Sequence, residues 1–289
     1  SIMKVRQVRI SGIPLATELA PLVAIAPQLV LVFGSVKPFT AAGLFESLKE
    51  AFPEAELAGC TTAGEIGAGG VTDGELVITA LQFSQSMLQV AVTDLADMED
   101  SRAAGRRLGL ALTGPELVHV LVLGQGVQIN GSALIEGFAD SLPRGVMLSG
   151  GLAGDGGAFA RTWTLSSHGL SERRIVAIGF SGRHVRLHHG SFHGWKPFGP
   201  VRKVTRCAGN VLYELVGQPA LDIYKRYLGD YAKDLPASGL LFPFEMLGED
   251  RSALGLSRTV LGVNEAVGSL ILAGNIVESG YLRLMHAST

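Results

Sequence analysis

The sequence predicts an α/β protein in which internally duplicated strand–helix–strand–hairpin units form mixed sheets, followed by a smaller C-terminal α/β portion. Three observations lead there. Apolar runs of strand length alternate with helical periods through the first two-thirds, and the same order of elements recurs at an offset of about 90 residues. After Pro200 the texture changes. The 289 residues suffice for one large domain or two smaller ones. The two repeats span about 25–115 and 116–200.

The chain opens in an alternating strand pattern after Met3. Leu29 to Phe33 reads as a buried strand, and Ala41 to Phe52 spaces Leu44, Phe45, Leu48 and Phe52 as one helix face before Pro53. Ala55 to Cys60 begins another strand. Glu75–Phe83 and Met87–Thr93 are two strands with a Ser-Gln-Ser turn between them, the pattern of a hairpin. Ser101 to Leu112 is helical. The order then repeats with a strand at His119–Leu123, a helix at Ser132–Leu142, a strand at Val146–Ser149 and a strand pair at Arg174–Phe180 and His184–His189. In the C-terminal portion the pattern places strands at Val201–Thr205, Leu240–Leu247, Ser257–Val263 and Gly268–Leu272, and a helix at Pro219–Leu228. Tyr281 to Thr289 leaves the pattern open.

Composition excludes several classes. With 47% hydrophobic and 17% charged residues, disorder is not the dominant state. A net charge of −2 gives no electrostatic footprint for nucleic acid. The most apolar window, Leu19 to Phe33, is broken by Pro21, Pro27 and Gln28, so no membrane span is expected. The start carries no secretory pattern, and two cysteines, Cys60 and Cys207, make neither a disulfide framework nor a zinc site. A cytoplasmic location is the expectation.

Candidate chemistry sits in two glycine-rich stretches after buried strands. The first runs Gly59-Cys60-Thr61-Thr62-Ala63-Gly64-Glu65, the second Gly150-Gly151-Leu152-Ala153-Gly154-Asp155. Each has an Ala-Gly step near an acid. Exposed backbone donors in such places suit ligand binding in open α/β sheets. Facing each other across a shared cleft, Glu65 and Asp155 could hold a ligand ammonium, while the Thr61 and Thr62 hydroxyls and free N–H groups hold a carboxylate. The alternative is a pair of tight turns whose acids cap the backbone.

These stretches also carry a resemblance. Gly59-Cys60-Thr61-Thr62-Ala63-Gly64-Glu65-Ile66 resembles the Gly-Cys-Ser/Thr-Thr-Ala-Gly-Glu signature of the FIST sensory domain, and Gly150 to Gly156 its second glycine motif. Gly194-Trp195-Lys196-Pro197-Phe198-Gly199 and Leu212-Tyr213-Glu214-Leu215 match in the same order. The resemblance implies a FIST N-terminal domain over 1–216 and a partial C-terminal one over 217–289, since family members continue into a further helix and a cysteine-containing strand. It further implies an intracellular signal-input module that binds a small ligand such as an amino acid and signals to a separate output protein such as a histidine kinase. One branch of the family is described as haem-binding nitric-oxide sensors.

Other residues offer competing chemistry. Among His184, His188, His189 and His193, strand geometry separates residues four apart by ~13 Å, too far to share a metal ion. His193, beside Trp195, is the candidate haem ligand, with Phe192, Trp195 and Phe198 as covering rings. Trp195 also joins the candidate ligand-binding set. Cys60 is the candidate nucleophile of a Cys-dependent hydrolase or transferase, although no base lies near it in sequence. Gly124-Gln125-Gly126 opens like a dinucleotide fingerprint, which Ile129 ends.

Overall fold

A computed structural model describes residues 3–287. The chain divides into two compact units, residues 1–129 with 136–189, and residues 130–135 with 190–289. The expected α/β class is what the structure shows.

In the first unit the chain runs β1 (Met3–Ile10), α1 (Ala16–Val23), β2 (Leu29–Gly34), α2 (Val36–Phe39), α3 (Leu44–Ala51), β3 (Glu56–Thr61), β4 (Glu65–Gly67), β5 (Gly70–Thr72) and β6 (Leu76–Phe83). It continues with β7 (Met87–Asp94), α4 (Ser101–Ala111), β8 (Leu117–Gly124), β9 (Met147–Leu152), β10 (Thr164–Ser166), β11 (Gly169–Ser171) and β12 (Arg174–Ser181), while α5 (Gly131–Ser141) starts in residues of the second unit and ends in the first. Strand order makes the duplication explicit. One sheet contains β1-β6-β2-β3 and the other is β7-β12-β8-β9. In each, the second strand after the opening one runs parallel to the next, β2 with β3 and β8 with β9, joined by a crossover helix.

The Ser-Gln-Ser turn does not make a hairpin. β6 lies between β1 and β2, whereas β7 pairs with β12 in the other sheet. Each structural repeat therefore opens one strand earlier than the apolar periodicity suggests, at β1 and at β7. Residues 184–189 form no strand either. Val185 and Leu187 pack against the core cluster of Leu29, Ala58, Cys60 and Phe180, so their alternation records burial of one face without a ladder partner. Helix α3 forms as expected, burying Leu44 and Leu48 after Gly43, which takes a left-handed φ of 93°. Phe39, Phe52, Val32 and Leu57 complete the core beneath it.

The two repeats differ inside their cores. At the position of Leu29 in β2 the second repeat carries His119, which is 2% exposed. Its Nε2 lies 2.7 Å from Ser149 Oγ, its ring meets Phe180 edge-on, and Nδ1 is buried without a partner among the described residues. Burial, and secondarily the charge of His189, holds the imidazole below its usual value. The neutral form is thus favoured in the folded chain. Stability contributed this way is present above the unfolded imidazole value of about 6.5 and is lost as pH falls toward the folded one. Restoring the repeat with His119→Leu is expected to flatten that acid-side loss, read as denaturant midpoints on either side of the imidazole value. An unchanged pH slope would contradict the assignment.

The second unit contains β13 (Trp195–Pro197), β14 (Arg202–Ala208), β15 (Val211–Leu215), β16 (Gln218–Pro219), α6 (Ala220–Leu228), β17 (Phe244–Leu247), β18 (Ala253–Arg258), β19 (Val260–Asn264), β20 (Ser269–Leu272) and β21 (Tyr281–Ala287). Helix α6 buries Leu221, Tyr224 and Leu228, the face its spacing predicts. The final segment is not an open end. β21 pairs with β17, β14 and β13, so it lies inside its sheet. Leu282 and Leu284 alternate with Arg283, but Met285 follows Leu284 directly and is buried too, which breaks the period. Among the described residues no helix is long and apolar enough to cross a membrane.

Candidate functional site

The two glycine stretches meet. Gly59, Cys60 and Thr61 belong to β3, and Gly150 and Gly151 to β9, so the loops proper start one step later. Each loop leaves its sheet through the same hydrogen bond: Thr62 N–H donates to Gly34 O at 2.9 Å, and Ala153 N–H to Gly124 O at 2.8 Å. Gly154 N–H then donates to Thr61 O at 2.8 Å. A Cβ at Gly154 would come within 3.1 Å of Ala63 N, so glycine is what allows this approach.

The two acids are occupied locally. Glu65 is 1% exposed. Its Oε2 accepts from the Thr62 hydroxyl at 2.8 Å and its Oε1 from Glu75 N–H at 2.9 Å. Ser35 Oγ lies 3.0 and 3.1 Å from the two carboxylate oxygens and 3.0 Å from Asp73 Oδ1, so its single proton is shared among them. Gly74 N–H donates to Ser35 Oγ at 2.8 Å. Asp155 Oδ1 accepts from Phe159 N–H at 3.1 Å, and its Oδ2 from the N–H groups of Ala160 at 2.7 Å and Arg161 at 3.1 Å. That cap holds Phe159 at a left-handed φ of 51°, a conformation costing ~1 kcal/mol or more for a non-glycine residue. Both carboxylates thus do what the backbone-capping alternative describes.

An open cleft lies beside the Asp155 cap. It measures about 460 Å³, and its walls include Leu95, Gln125, Gln128, Arg161, Thr162, Glu172 and Arg173. Arg161 and Glu172 form a two-point ion pair, Nε to Oε1 at 2.6 Å and Nη2 to Oε2 at 2.7 Å. The guanidinium sits 4.7 Å from the centre of the Trp163 ring and holds Glu172 below the usual carboxylate range. Opposite, Gln125 is 6% exposed and shapes the floor by accepting from Val127 N–H and Gln128 N–H. Thr162 accepts from Gly126 N–H at 2.9 Å. The neighbouring Trp163 exchanges hydrogen bonds with Thr61, its carbonyl accepting from Thr61 N–H and its N–H donating to Thr61 Oγ1. Both glycine stretches therefore brace one wall of the cleft from behind.

The repeat explains why the cleft is open. Gln125 follows β8 as Ser35 follows β2, and Glu172 follows β11 as Asp73 follows β5. In the first repeat those counterparts, Ser35 and Asp73, meet directly and enclose Glu65. In the second, Gln125 and Glu172 both line the open cleft. Sequence reasoning missed Arg161, Glu172 and Gln125. Placing the second copy over the first strand by strand would have shown a sealed polar cluster replaced by an arginine, a glutamate and a glutamine.

The remaining candidates lie elsewhere. Cys60 is buried, and burial pushes its thiol up to about 12, which disfavours the thiolate that a nucleophile needs. His193 is exposed and its Nδ1 accepts from Trp195 N–H at 3.3 Å. Of the rings expected to cover a haem at His193, two do not gather round it. Phe192 is 98% exposed, and Phe198 packs edge-on against Tyr227, Phe242 and His286 instead. Trp195 is half-buried in β13. Among the described residues no three or more His, Cys, Asp or Glu side chains are grouped to hold a metal ion.

No curated protein matches the chain significantly. Among solved structures it is similar to cyanuric acid hydrolase from A. caulinodans, at 14% identity and a TM-score of 0.32, over 99% of this chain and 100% of that one. The FIST N domain family matches residues 28–218 and the FIST C domain family residues 220–289, a junction that falls within the second unit just after β16. The chain, with both its glycine motifs in place, belongs to the FIST family, whose domains are sensory modules of signal transduction.

Proposed function

We propose that this chain is a signal-input protein that binds a small zwitterionic metabolite, an amino acid being the simplest example, in the cleft of its second repeat. The observation that carries the reading is the cleft of about 460 Å³ with Arg161 and Glu172 on its wall. Its size suits a small metabolite. A guanidinium fork takes a carboxylate, and a carboxylate takes an ammonium. The two groups satisfy each other, with Arg161 62% and Glu172 41% exposed. An ion pair that exposed contributes little, so a ligand carrying both charges displaces it at small cost.

Gly59, Cys60, Thr61, Thr62, Gly64, Glu65, Gly150, Gly151, Gly154 and Asp155 then act as the support that transmits occupancy. Asp155 holds the Arg161 N–H, and the chain runs back through Gly154 to Thr61 of the other repeat. A shift of Arg161 reaches the junction of the repeats through those bonds. Differential affinity for two arrangements is what turns binding into a signal. The family's sensory role supports a separate output protein, such as a histidine kinase, as the reader. Protein expressed with ample haem supply tests the nitric-oxide branch directly, and a Soret band lost in His193→Ala would revive it.

The test is a thermal-shift screen of amino acids and related metabolites, followed by calorimetry. At a hundredfold excess over Kd, binding to the folded state adds about 2.7 kcal/mol and raises the midpoint visibly. Arg161→Ala and Glu172→Ala are each expected to weaken binding at least about tenfold, the scale of one charge-assisted hydrogen bond. A panel without any shift, or binding indifferent to both substitutions, rejects the cleft as the site.

A further inference from the structure

The geometry points to self-association of this chain by strand addition, in which the β4–β5 hairpin of one copy docks on the β9 edge of a second copy. The pattern is already present inside the chain. The hairpin of the second repeat, β10–β11, adds to the outer edge of β3, with Thr164 opposite Cys60, Leu165 opposite Gly59 and Ser166 opposite Ala58. Leu165 is 1% exposed as a result and joins the core of the first repeat.

The quasi-equivalent contact is not made. Among the described residues β4 and β5 form only a two-stranded sheet with each other, and β9 ends its four-stranded sheet unpaired on the outer side. Both surfaces are apolar and open. On the hairpin, Ile66 is 75% and Val71 72% exposed; on the edge strand, Met147 is 47% and Leu152 37% exposed. One chain thus carries a free hairpin and a free edge that do not meet, and a second copy supplies the partner of each.

The residues fit the transposed register. Gly150 occupies the place of Gly59, each lying against the carbonyl of the valine in the parallel neighbour, Val122 or Val32. Ile66 occupies the place of Leu165. An aliphatic side chain opposite a glycine is therefore kept, with Ile66 opposite Gly150 and Glu65 opposite Gly151. Main-chain hydrogen bonds give such strand addition its affinity, and the side-chain pair gives it register. Free apolar edges are otherwise an aggregation hazard that proteins cover or blunt with charge. The contact is heterologous, so it closes into a ring or extends as a filament according to the rotation between copies.

The experiment is light scattering coupled to size-exclusion chromatography of the full chain across low to high micromolar concentrations. Wild type is expected above the monomer mass. Ile66→Lys, on the exposed hairpin, and Leu152→Lys, on the edge, are each expected to give folded monomers, checked by circular dichroism. Mixing the two variants leaves one intact hairpin and one intact edge, so a heterodimer is expected where neither variant associates alone. A monomeric wild type at every concentration, or an oligomer that survives both substitutions, overturns the proposal. So does a mixture of monomeric variants that stays monomeric.

Discussion

Gly59→Ala is expected to destabilise the fold by more than about 4 kcal/mol, the range reserved for changes that native packing cannot absorb. A Cβ built on Gly59 overlaps the carbonyl of Val32, a backbone atom in the neighbouring parallel strand. β3 is paired on both sides, with β2 and with β10, so neither neighbour can move without opening the sheet. Strands about 4.8 Å apart leave no slack for an extra methyl aimed along the hydrogen-bonding direction. Gly150→Ala meets the same obstacle at Val122, and its φ of 151° adds backbone strain. β9 has one free side among the described residues, so it can yield, and a smaller loss of about 2–4 kcal/mol is expected. Gly151→Ala is the internal control. Nothing lies within 4 Å of its Cβ, and a change within about 1 kcal/mol is expected. Chemical denaturation of the three variants checks the order. A Gly59→Ala midpoint equal to that of Gly151→Ala would refute it.

Those glycines show where the sequence is legible. Their repetition at equivalent places correctly marks a duplicated unit and a point where its two copies meet. Their meaning is less legible, because a glycine demanded by a parallel neighbour looks the same in sequence as one demanded by a ligand. Periodicity places the helices at 44–51, 101–111, 131–141 and 220–228 and most strands within a few residues. It cannot report which sheet a strand joins. β6 and β7 read as a hairpin because a short polar turn links them, yet each finds its partners in a different sheet. The cleft was hidden for a related reason. Arg161 and Glu172 are 11 residues apart with two strands between them, and only the β10–β11 hairpin brings them together.

Glu65→Ala is expected to lower stability by about 2–4 kcal/mol, because it leaves buried donors without an acceptor, each worth about 1–3 kcal/mol. The Thr62 hydroxyl and the Glu75 N–H lose their partners outright. Ser35 does not, since its proton can turn fully to Asp73 at 3.0 Å. Removing a buried charge also recovers some hydration free energy, which keeps the loss below the simple sum. Glu65→Gln keeps one acceptor oxygen and should cost about half as much, with Thr62 or Glu75, not both, remaining satisfied. Ligand measurements on the same variants separate the two roles the sequence leaves open for this acid. As a cap, Glu65 influences the cleft only through Thr61 and Trp163, so the folded Gln variant should bind ligand within about twofold of wild type. If Glu65 gripped a ligand ammonium itself, the Gln variant would lose about tenfold or more while its stability hardly changed, since the charge would matter only with ligand present. The four contacts within 3.1 Å of its oxygens favour the first outcome.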